Sequence, residues 1–254
     1  IDNMIDNMPE KKDDNNKTNK KFKKDLYNFI STELDYKNMK VLELGTSHGY
    51  TTGILASLFE EVNTCDNNKE NIKKAKKNNE QFPNINYYFG DVYVDAWPSV
   101  HFDTVFVDCM HWSPMVAHDI IMILNSSKGR KVTVFFDDYG VSWGPNRNSV
   151  KMVVDWFVEN GYLKVVKEIG HKKGTQVQNS KECVLNASEG LICRTLDKST
   201  KNLGKIALKW VFMDTGKKIL NVELDDIIGT NGLGDRIKES DNGFLQQLGV
   251  ISNE

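Results

Sequence analysis

Hydrophobic residues along this chain alternate between a spacing that predicts helices and short runs that predict buried strands. The first helical segment has apolar side chains at the spacing of one helix face. These are Phe22, Leu26, Phe29, Ile30 and Leu34. The predicted strands span 39–44, 61–65, 85–89, 102–107, 131–136, 162–169 and 190–195, and the helices among them span 49–59, 68–79, 114–124 and 147–160. Repeated strand–helix units predict an α/β fold whose mostly parallel sheet carries helices on both faces.

The two ends of the chain depart from this alternation. Residues 1–20 are polar and rich in lysine, so we expect a disordered leader there. After Thr195 the strand–helix units stop, and apolar runs at 206–212 and 218–224 flank a turn that contains glycine, which predicts a β-hairpin. The predicted organisation is a leader at 1–20, an α/β domain at 21–196 and a small β-rich C-terminal extension at 197–254.

Composition and charge narrow the classes of partner. The formal net charge of the 254 residues is −2, so the whole chain has no electrostatic attraction for nucleic acid, and we expect no such partner. No apolar run reaches the ~18 residues that a membrane span needs. The 4 cysteines are scattered without a CxxC pair, which favours free thiols in a reducing compartment and hence a cytoplasmic protein.

Acidic residues stand at the ends of the first predicted strands. They are Glu43, Asp66, Asp91, Asp108 and the pair Asp137–Asp138. Ligands of an open parallel sheet bind beyond the carboxyl ends of its strands, so these side chains would share one edge. The first strand also leads into the turn at 45–49, whose small residues let the backbone approach a ligand. Its glycine spacing differs from G-x-G-x-x-G, which favours a cofactor with an amino-acid tail over one with a pyrophosphate.

Two of these acids fit a nucleoside. Asp66 follows the glycine turn by about 20 residues, where a carboxylate can accept hydrogen bonds from ribose hydroxyls. The alternative for Asp66 is an acidic residue placed at a helix N-terminus by the helix dipole. Asp91 could accept a hydrogen bond from an adenine amino group, or could be only a turn residue.

The ordered series Glu43-x-Gly45-x-x-x-Gly49, Asp66 and Gly90-Asp91 resembles that of the class I S-adenosylmethionine-dependent methyltransferases. This resemblance runs from about residue 25 to residue 195, and it implies a Rossmann-like sheet of seven strands with the last one antiparallel. It also implies that the glycine loop wraps the methionine part of S-adenosylmethionine. The residues implied to bind the cofactor are Glu43, Gly45, Thr46, Ser47, Gly49, Asp66 and Asp91.

A second resemblance concerns Asp108-Cys109-Met110-His111, which is similar to the Asp-x-x-His signature of metal-dependent sugar O-methyltransferases of the macrocin and mycinamicin type. It implies that Asp108, Asp137 and Asp138 hold a metal, and that His111 and Asp108 are catalytic. Converging carboxylates need a cation, and oxygen ligands favour Mg²⁺ or another hard divalent ion. Such an ion could chelate two hydroxyls of a substrate and acidify one, and His111 would remove the proton.

These resemblances together predict O-methyl transfer to a hydroxyl of a sugar or of another small hydroxylated acceptor. The partner would be a small molecule or a glycan, without a membrane. One alternative is a metal-independent methyltransferase for protein or nucleic acid, although the chain lacks an Asn/Asp-Pro-Pro-Tyr/Phe motif. Another alternative is a non-catalytic binding module built on the cofactor fold. A nicotinamide oxidoreductase is disfavoured by the glycine spacing.

Several residues near the proposed site keep more than one interpretation. His111 could be structural rather than a base, and His48 could touch the cofactor carboxylate or only face solvent. Trp112, Tyr139 and Trp143 could stack on a sugar, cover the cofactor or pack at the rim. The C-terminal extension could cover the site, bind a partner or form an oligomer contact. A homo-oligomeric state is therefore one of the alternatives.

Overall fold

A computed structural model of the chain describes residues 5–8, 18–93, 95, 97–111, 113–141, 149–177, 184–201 and 203. The predicted C-terminal hairpin lies outside these residues, as do Trp112 and Trp143. The proposed boundaries of leader, domain and extension therefore stay predictions.

Seven strands and the helices between them make up the described fold. The strands are β1 (Lys40–Leu44), β2 (Glu61–Asp66), β3 (Ile85–Phe89), β4 (Thr104–Val107), β5 (Thr133–Phe136), β6 (Leu163–Ile169) and β7 (Gly190–Thr195). The helices are α1 (Lys20–Glu33), α2 (Tyr50–Ala56), α3 (Lys69–Asn78), α4 (Ser113–Ser127) and α5 (Ser149–Glu159), with a 3-10 turn at Tyr36–Asn38. The elements predicted between residues 22 and 195 are all present, with ends that differ by a few residues.

The strands form one sheet in the order β3-β2-β1-β4-β5-β7-β6. Strands β1 to β5 pair in parallel, and β7 lies antiparallel between β5 and β6. This order confirms the predicted Rossmann-like sheet, mostly parallel with an antiparallel last strand. From β1 the chain adds strands toward one edge of the sheet, and from β4 it adds them toward the other edge. The loops that follow β1 and β4 therefore diverge and leave a crevice at the carboxyl edge.

The central strands are apolar on both faces because both faces are covered. Every residue of β4 and β5 is buried, as expected for a parallel sheet packed between helices. Alternate side chains point to opposite faces, so Val105 and Phe106 enter different hydrophobic clusters. One cluster lies under α4 and α5 and the other under α1 and α2. This packing fixes the strand ends that carry the acidic residues.

Two of the helices have capping residues at one end. Asn68 precedes α3, and its Oδ1 accepts hydrogen bonds from the backbone N–H of Glu70 at 2.9 Å and of Asn71 at 3.4 Å. A side-chain acceptor of this kind satisfies N–H groups that lack a partner within the helix. Gly161 follows α5 with φ +70°, a left-handed conformation that ends a helix readily when the residue is glycine.

The segment at residues 5–8 differs from the expected disordered leader. Ile5 and Met8 are buried and pack in the cluster under α1 and α2. An ion pair of 2.8 Å joins Asp6 to Lys24 of α1. The two apolar residues of the second IDNM repeat lie three positions apart, which puts both on one side of a helical turn. The leader prediction overlooked this short apolar anchor.

Two general expectations can be compared with the structure. The described cysteines Cys65, Cys109 and Cys193 are free thiols, as predicted. In the ranges that the structure describes, no helix has both the length and the apolar composition required to cross a bilayer.

Candidate functional site

A cavity of about 220 Å³ opens at the carboxyl edge of β1 to β4. It is lined by Gly45, Ser47, Cys65, Asp66, Asn67, Asn71, Gly90, Asp91, Val92, Tyr93, Asp108, Cys109 and Met110. The structure thus brings together five of the predicted site residues, from the loops after four neighbouring strands. The remaining lining residues include side chains that the sequence interpretation did not single out.

The glycine loop lies directly against the end of β4. Gly45 has φ +98°, and a Cβ atom there would be 2.0 Å from the backbone oxygen of Asp108. No L-residue with a side chain fits that position without moving one of the two backbones. The Gly45 N–H donates to the Cys65 carbonyl at 3.0 Å, which attaches the loop to the end of β2 as well. The first loop is therefore held in contact with both neighbouring strands.

Asp66 connects the glycine loop to the start of α3. Its Oδ2 accepts a hydrogen bond from the Ser47 N–H at 2.8 Å, and its Oδ1 accepts one from the Asn68 N–H at 2.8 Å. The Asn71 side-chain amide lies 3.3 Å from both carboxylate oxygens. Asp66 therefore accepts hydrogen bonds just before the N-terminus of α3, as its structural interpretation proposed, and it also lines the cavity. Its binding of ribose stays a prediction.

Asp91 lies in the cavity wall after β3, the strand next to β2. Its Oδ1 accepts from the Tyr93 N–H at 3.0 Å, and its Oδ2 lies 3.3 Å from the Asn67 amide nitrogen. Its own N–H donates to Asp95 at 2.7 Å. The carboxylate is thus fixed in orientation at the cavity wall, where the sequence predicted an adenine contact.

Glu43 lies behind the glycine loop instead of in the cavity wall. It is 0% exposed, and its Oε2 accepts hydrogen bonds from Thr52 at 2.5 Å and Thr64 at 2.6 Å. Burial raises the pKa of Glu43 to about 8, while the two threonine hydrogen bonds oppose that shift. Thr46 and Gly49 are likewise not among the described lining residues. Glu43, Thr46 and Gly49 are therefore the members of the predicted cofactor set that the structure does not place in the cavity wall.

Three side chains converge just beyond the cavity. His111 Nε2 lies 3.5 Å from Asp108 Oδ1 and 3.7 Å from Asp138 Oδ2. One ligand atom from each residue fits within a mutual distance of 4.8 Å. Asp108 belongs to both the cavity and this group, which we call the acidic cluster (Asp108, His111 and Asp138). The structure therefore places two predicted ligands and the predicted base together at adjacent strand ends.

Asp137 is not a member of the acidic cluster, which differs from the predicted set of three carboxylates. Its side chain is 2% exposed, and its Oδ1 accepts a hydrogen bond from the N–H of Asp138 at 2.9 Å. Asp138 has φ +51°, a left-handed conformation that turns the chain at this point. Consecutive residues at a strand end point in different directions, so only the second acid of the pair reaches His111.

Electrostatics favour a positive charge within the acidic cluster. Burial disfavours the charged imidazole of His111, but the carboxylates of Asp108 and Asp138, with Asp137 behind them, raise its pKa to about 9. His111 Nε2 is buried and has no hydrogen-bond partner within bonding distance. A buried nitrogen facing two carboxylate oxygens fits a divalent cation, since each of the three atoms can be a ligand. A mixed nitrogen and oxygen set accepts Mn²⁺, Fe²⁺ or Zn²⁺ besides the predicted Mg²⁺.

Sequence reasoning missed a group of side chains on the inner wall of the cavity. Tyr93 and Cys109 line the cavity and hydrogen-bond to Asp119, which is fully buried on α4. Tyr93 could have been found, because it follows Asp91 by two residues. Nothing in the sequence around Asp119 distinguishes it from an ordinary helical acid.

Other predicted contributors lie farther from the cavity. The Tyr139 hydroxyl donates to Asp155 on α5 at 2.6 Å, and its side chain is 7% exposed. This ring is therefore packed, as its alternative interpretation proposed. His48 is not among the described lining residues, and its Nε2 lies 3.4 Å from Lys74 Nζ.

Comparisons with known proteins match the part of the chain that holds this site. Residues 42–139 match the family described as "Methyltransferase domain". This range runs from β1 to just past β5, and it contains the whole cavity lining and the acidic cluster. A protein-L-isoaspartate O-methyltransferase of Dictyoglomus thermophilum is 46% identical over 52 residues. That match covers 20% of this chain and 24% of the relative, so the chain spans about a quarter of the relative's length.

Two solved structures can be compared with this chain, and the first shares its fold. The tRNA (m1A58) methyltransferase TrmI of Aquifex aeolicus superposes with a TM-score of 0.51 and 22% identity, over 78% of this chain and 76% of that one. An O-methyltransferase of Bacillus cereus, solved in complex with SAH, gives a TM-score of 0.48 and 16% identity, over 68% of this chain and 80% of that one. Residues 42–139 are thus similar in sequence to a methyltransferase domain, and the chain shares its fold with a solved methyltransferase.

Proposed function

We propose that this chain is an S-adenosylmethionine-dependent O-methyltransferase that uses a divalent cation to methylate a hydroxyl of a sugar or another small hydroxylated acceptor. The observation that carries the proposal is the convergence of Asp108 Oδ1, His111 Nε2 and an Asp138 carboxylate oxygen within 4.8 Å. Asp108 also lines the cavity, so a cation at the acidic cluster would adjoin the bound cofactor.

The cavity offers the groups that a nucleoside with an amino-acid tail needs. Asp66 and Asp91 line it at the ends of two adjacent strands and present carboxylate acceptors for ribose hydroxyls and an adenine amino group. Gly45 and Ser47 bring the backbone to its surface between β1 and β4. S-adenosylmethionine, when bound, supplies a methyl group on a positively charged sulfur. The protein then only has to hold the acceptor oxygen in line with that methyl group.

The acidic cluster would position and deprotonate the acceptor. Asp108 and Asp138 would hold the cation, whose charge lowers the pKa of a coordinated hydroxyl. The cation would also offset the carboxylate charges that raise the pKa of His111, so that the neutral imidazole, whose Nε2 lies beside both carboxylates, would accept the hydroxyl proton. Within the cluster, His111 Nε2 is buried and Asp138 is only 5% exposed. The same nitrogen could instead be a third ligand, a role that removes it from proton transfer.

The first test combines cofactor binding with metal removal. Calorimetry should detect binding of S-adenosylhomocysteine to the wild-type protein. Methyl transfer from labelled S-adenosylmethionine to a panel of sugars and catechols should stop in EDTA and return with Mg²⁺ or Mn²⁺. Asp108→Ala should abolish transfer and leave affinity for S-adenosylhomocysteine within about threefold, since the nucleoside acceptors remain.

A matched control separates the acidic cluster from general charge loss. Asp35→Ala removes an exposed acid that caps nothing with its side chain, so it should behave as the wild type. Transfer that continues unchanged in EDTA would show that the reaction needs no metal.

A second candidate function is metal-independent methylation of a protein or nucleic acid. It is favoured by the short match to a protein-L-isoaspartate O-methyltransferase, 46% identical over 52 residues. Label transferred to an isoaspartyl peptide or to an oligonucleotide, but to no sugar, would support it. Failure of the wild-type protein to bind S-adenosylhomocysteine at all would instead favour a non-catalytic module.

A further inference from the structure

A buried polar network lies beneath the cavity. The Tyr93 hydroxyl donates to Asp119 Oδ2 at 3.0 Å, and the Cys109 thiol lies 3.2 Å from the same oxygen. Tyr93 Oη and Cys109 Sγ are 2.9 Å apart. Asp119 is 0% exposed and sits in α4 among the apolar side chains of the cluster under that helix. One carboxylate oxygen thus binds two side chains that line the cavity.

The network joins two loops with different tasks in the proposed function. Tyr93 follows β3 and belongs to the wall that holds Asp91. Cys109 follows β4 and stands between Asp108 and Met110, at the start of the acidic cluster. The Met110 N–H also reaches the Tyr93 hydroxyl at 3.4 Å. The two loops are therefore linked through side chains that converge on Asp119.

A carboxylate at this depth is costly unless it has partners. Burial raises the pKa of Asp119, and the hydrogen bonds from Cys109 and Tyr93 oppose that shift, together with His118. The His118 ring is also 0% exposed and meets the Tyr93 ring edge to face at 5.2 Å. Tyr93 is thus held at its hydroxyl by Asp119 and at its ring by His118. An apolar residue at 119 would pack in this core, but it could not hold either loop by hydrogen bonds.

We infer that Asp119 is a positioning residue that fixes the distance between the Tyr93 wall of the cavity and Asp108 of the acidic cluster. This inference rests on the proposed function, because it assigns the two loops to cofactor and cation. It goes further because it makes the cofactor site and the cation site depend on one buried residue, Asp119. Loss of that support should weaken the binding of S-adenosylhomocysteine and of the cation together.

Two variants of the full chain test this inference. Tyr93→Phe removes only the hydroxyl and keeps the ring, and Asp119→Ala removes the shared acceptor. Both should speed exchange of the Met110 amide hydrogen, followed by NMR, because that N–H loses its ordered acceptor. Affinity for S-adenosylhomocysteine by calorimetry and for Mn²⁺ by paramagnetic resonance should each fall about tenfold in Asp119→Ala, and less in Tyr93→Phe.

The matched control is Ile123→Ala, a buried position of the same helix outside the network. It should lower Tm while leaving Met110 exchange under native conditions and both affinities near the wild type. Wild-type exchange and wild-type affinities in Tyr93→Phe and Asp119→Ala would overturn the inference. A wild-type protein that binds neither probe would overturn the proposed function, and Met110 exchange would still decide whether Asp119 holds the two loops.

Discussion

The site has two halves, the cavity wall around Asp66 and Asp91 and the acidic cluster. They differ in how their polar side chains are hydrogen-bonded. On the nucleoside side, Asp66 and Asp91 accept hydrogen bonds from backbone N–H groups and from asparagine amides. In the acidic cluster, His111 Nε2 is buried at 3.5 Å and 3.7 Å from two carboxylates, without a hydrogen bond. Hydrogen bonds within the protein fix the first half, while the second offers a nitrogen and two carboxylates as ligands for the cation of the proposed function.

Substitution of His111 tests the second half most strongly. His111→Gln should lower methyl transfer by roughly 10²–10⁴-fold, the usual contribution of a general base. Affinity for S-adenosylhomocysteine should stay near the wild type, since His111 is not among the described residues of the cavity wall. Titration with Mn²⁺ then distinguishes the two roles of His111. If His111 is only a base, His111→Gln should keep the affinity for Mn²⁺; if it is a ligand, that affinity should fall.

Substitution of Gly45 tests whether the two halves depend on one contact. Gly45→Ala should lower the free energy of unfolding by about 3 kcal/mol, because it combines a left-handed backbone with a clash against the end of β4. The clash is the 2.0 Å approach to the Asp108 oxygen. Gly161→Ala is the matched control, with φ +70° and nothing within 4 Å of its Cβ, and should cost only about 1 kcal/mol. Urea unfolding measures both; equal losses would show that the close contact does not matter.

The buried acid behind the glycine loop gives a pH test of the first half. The pKa of Glu43 is raised from 4.5 to about 8 in the folded protein. Between these values the unfolded chain loses the Glu43 proton while the folded chain keeps it, so stability falls as pH rises. The slope is at most about 1.4 kcal/mol per pH unit from this group. The loss of stability from this group is absent below the lower pKa and complete above the upper one.

Glu43→Gln removes this titration while keeping an oxygen for the two threonines. The difference in unfolding free energy between wild type and Glu43→Gln, measured from pH 5 to pH 8, should shift steadily in favour of the variant. A difference that does not change with pH would mean that Glu43 ionises normally.

Substitution of Asp66 should have a smaller effect, confined to the nucleoside side. Asp66→Asn should weaken S-adenosylhomocysteine about tenfold, because an amide replaces one of two acceptors in the carboxylate. Affinity for Mn²⁺ should not change. A loss of both affinities would show that the glycine loop, which Asp66 holds through the Ser47 N–H, also supports the acidic cluster.

The sequence predicted the sheet and the strand-end acids because both follow from local patterns. Asp66 and Asp91 reach the cavity because Asp66 is the last residue of β2 and Asp91 lies two residues after the end of β3. The orientation of Asp137 could not be predicted, because it depends on the left-handed backbone at Asp138. The fully buried position of Glu43 depends on Thr64, which lies 21 residues away in the chain.

Asp119 was missed for the same physical reason. Its partners Tyr93 and Cys109 are separated from it by 26 and 10 residues, and only the packing of α4 against the sheet brings them together. The burial of Ile5 likewise depends on a distant part of the core. Patterns within one element cannot show contacts of this kind.

The contact between Gly45 and the backbone of Asp108 also limits how this site could be re-engineered. A new acceptor preference is commonly sought by exchanging the loop after one strand. Here the loops at 45–49 and 108–111 are in direct contact through Gly45 and Asp108. A loop of different shape, taken from another protein, would displace its neighbour at either position. Transplanting the site to another scaffold would require both segments as one unit.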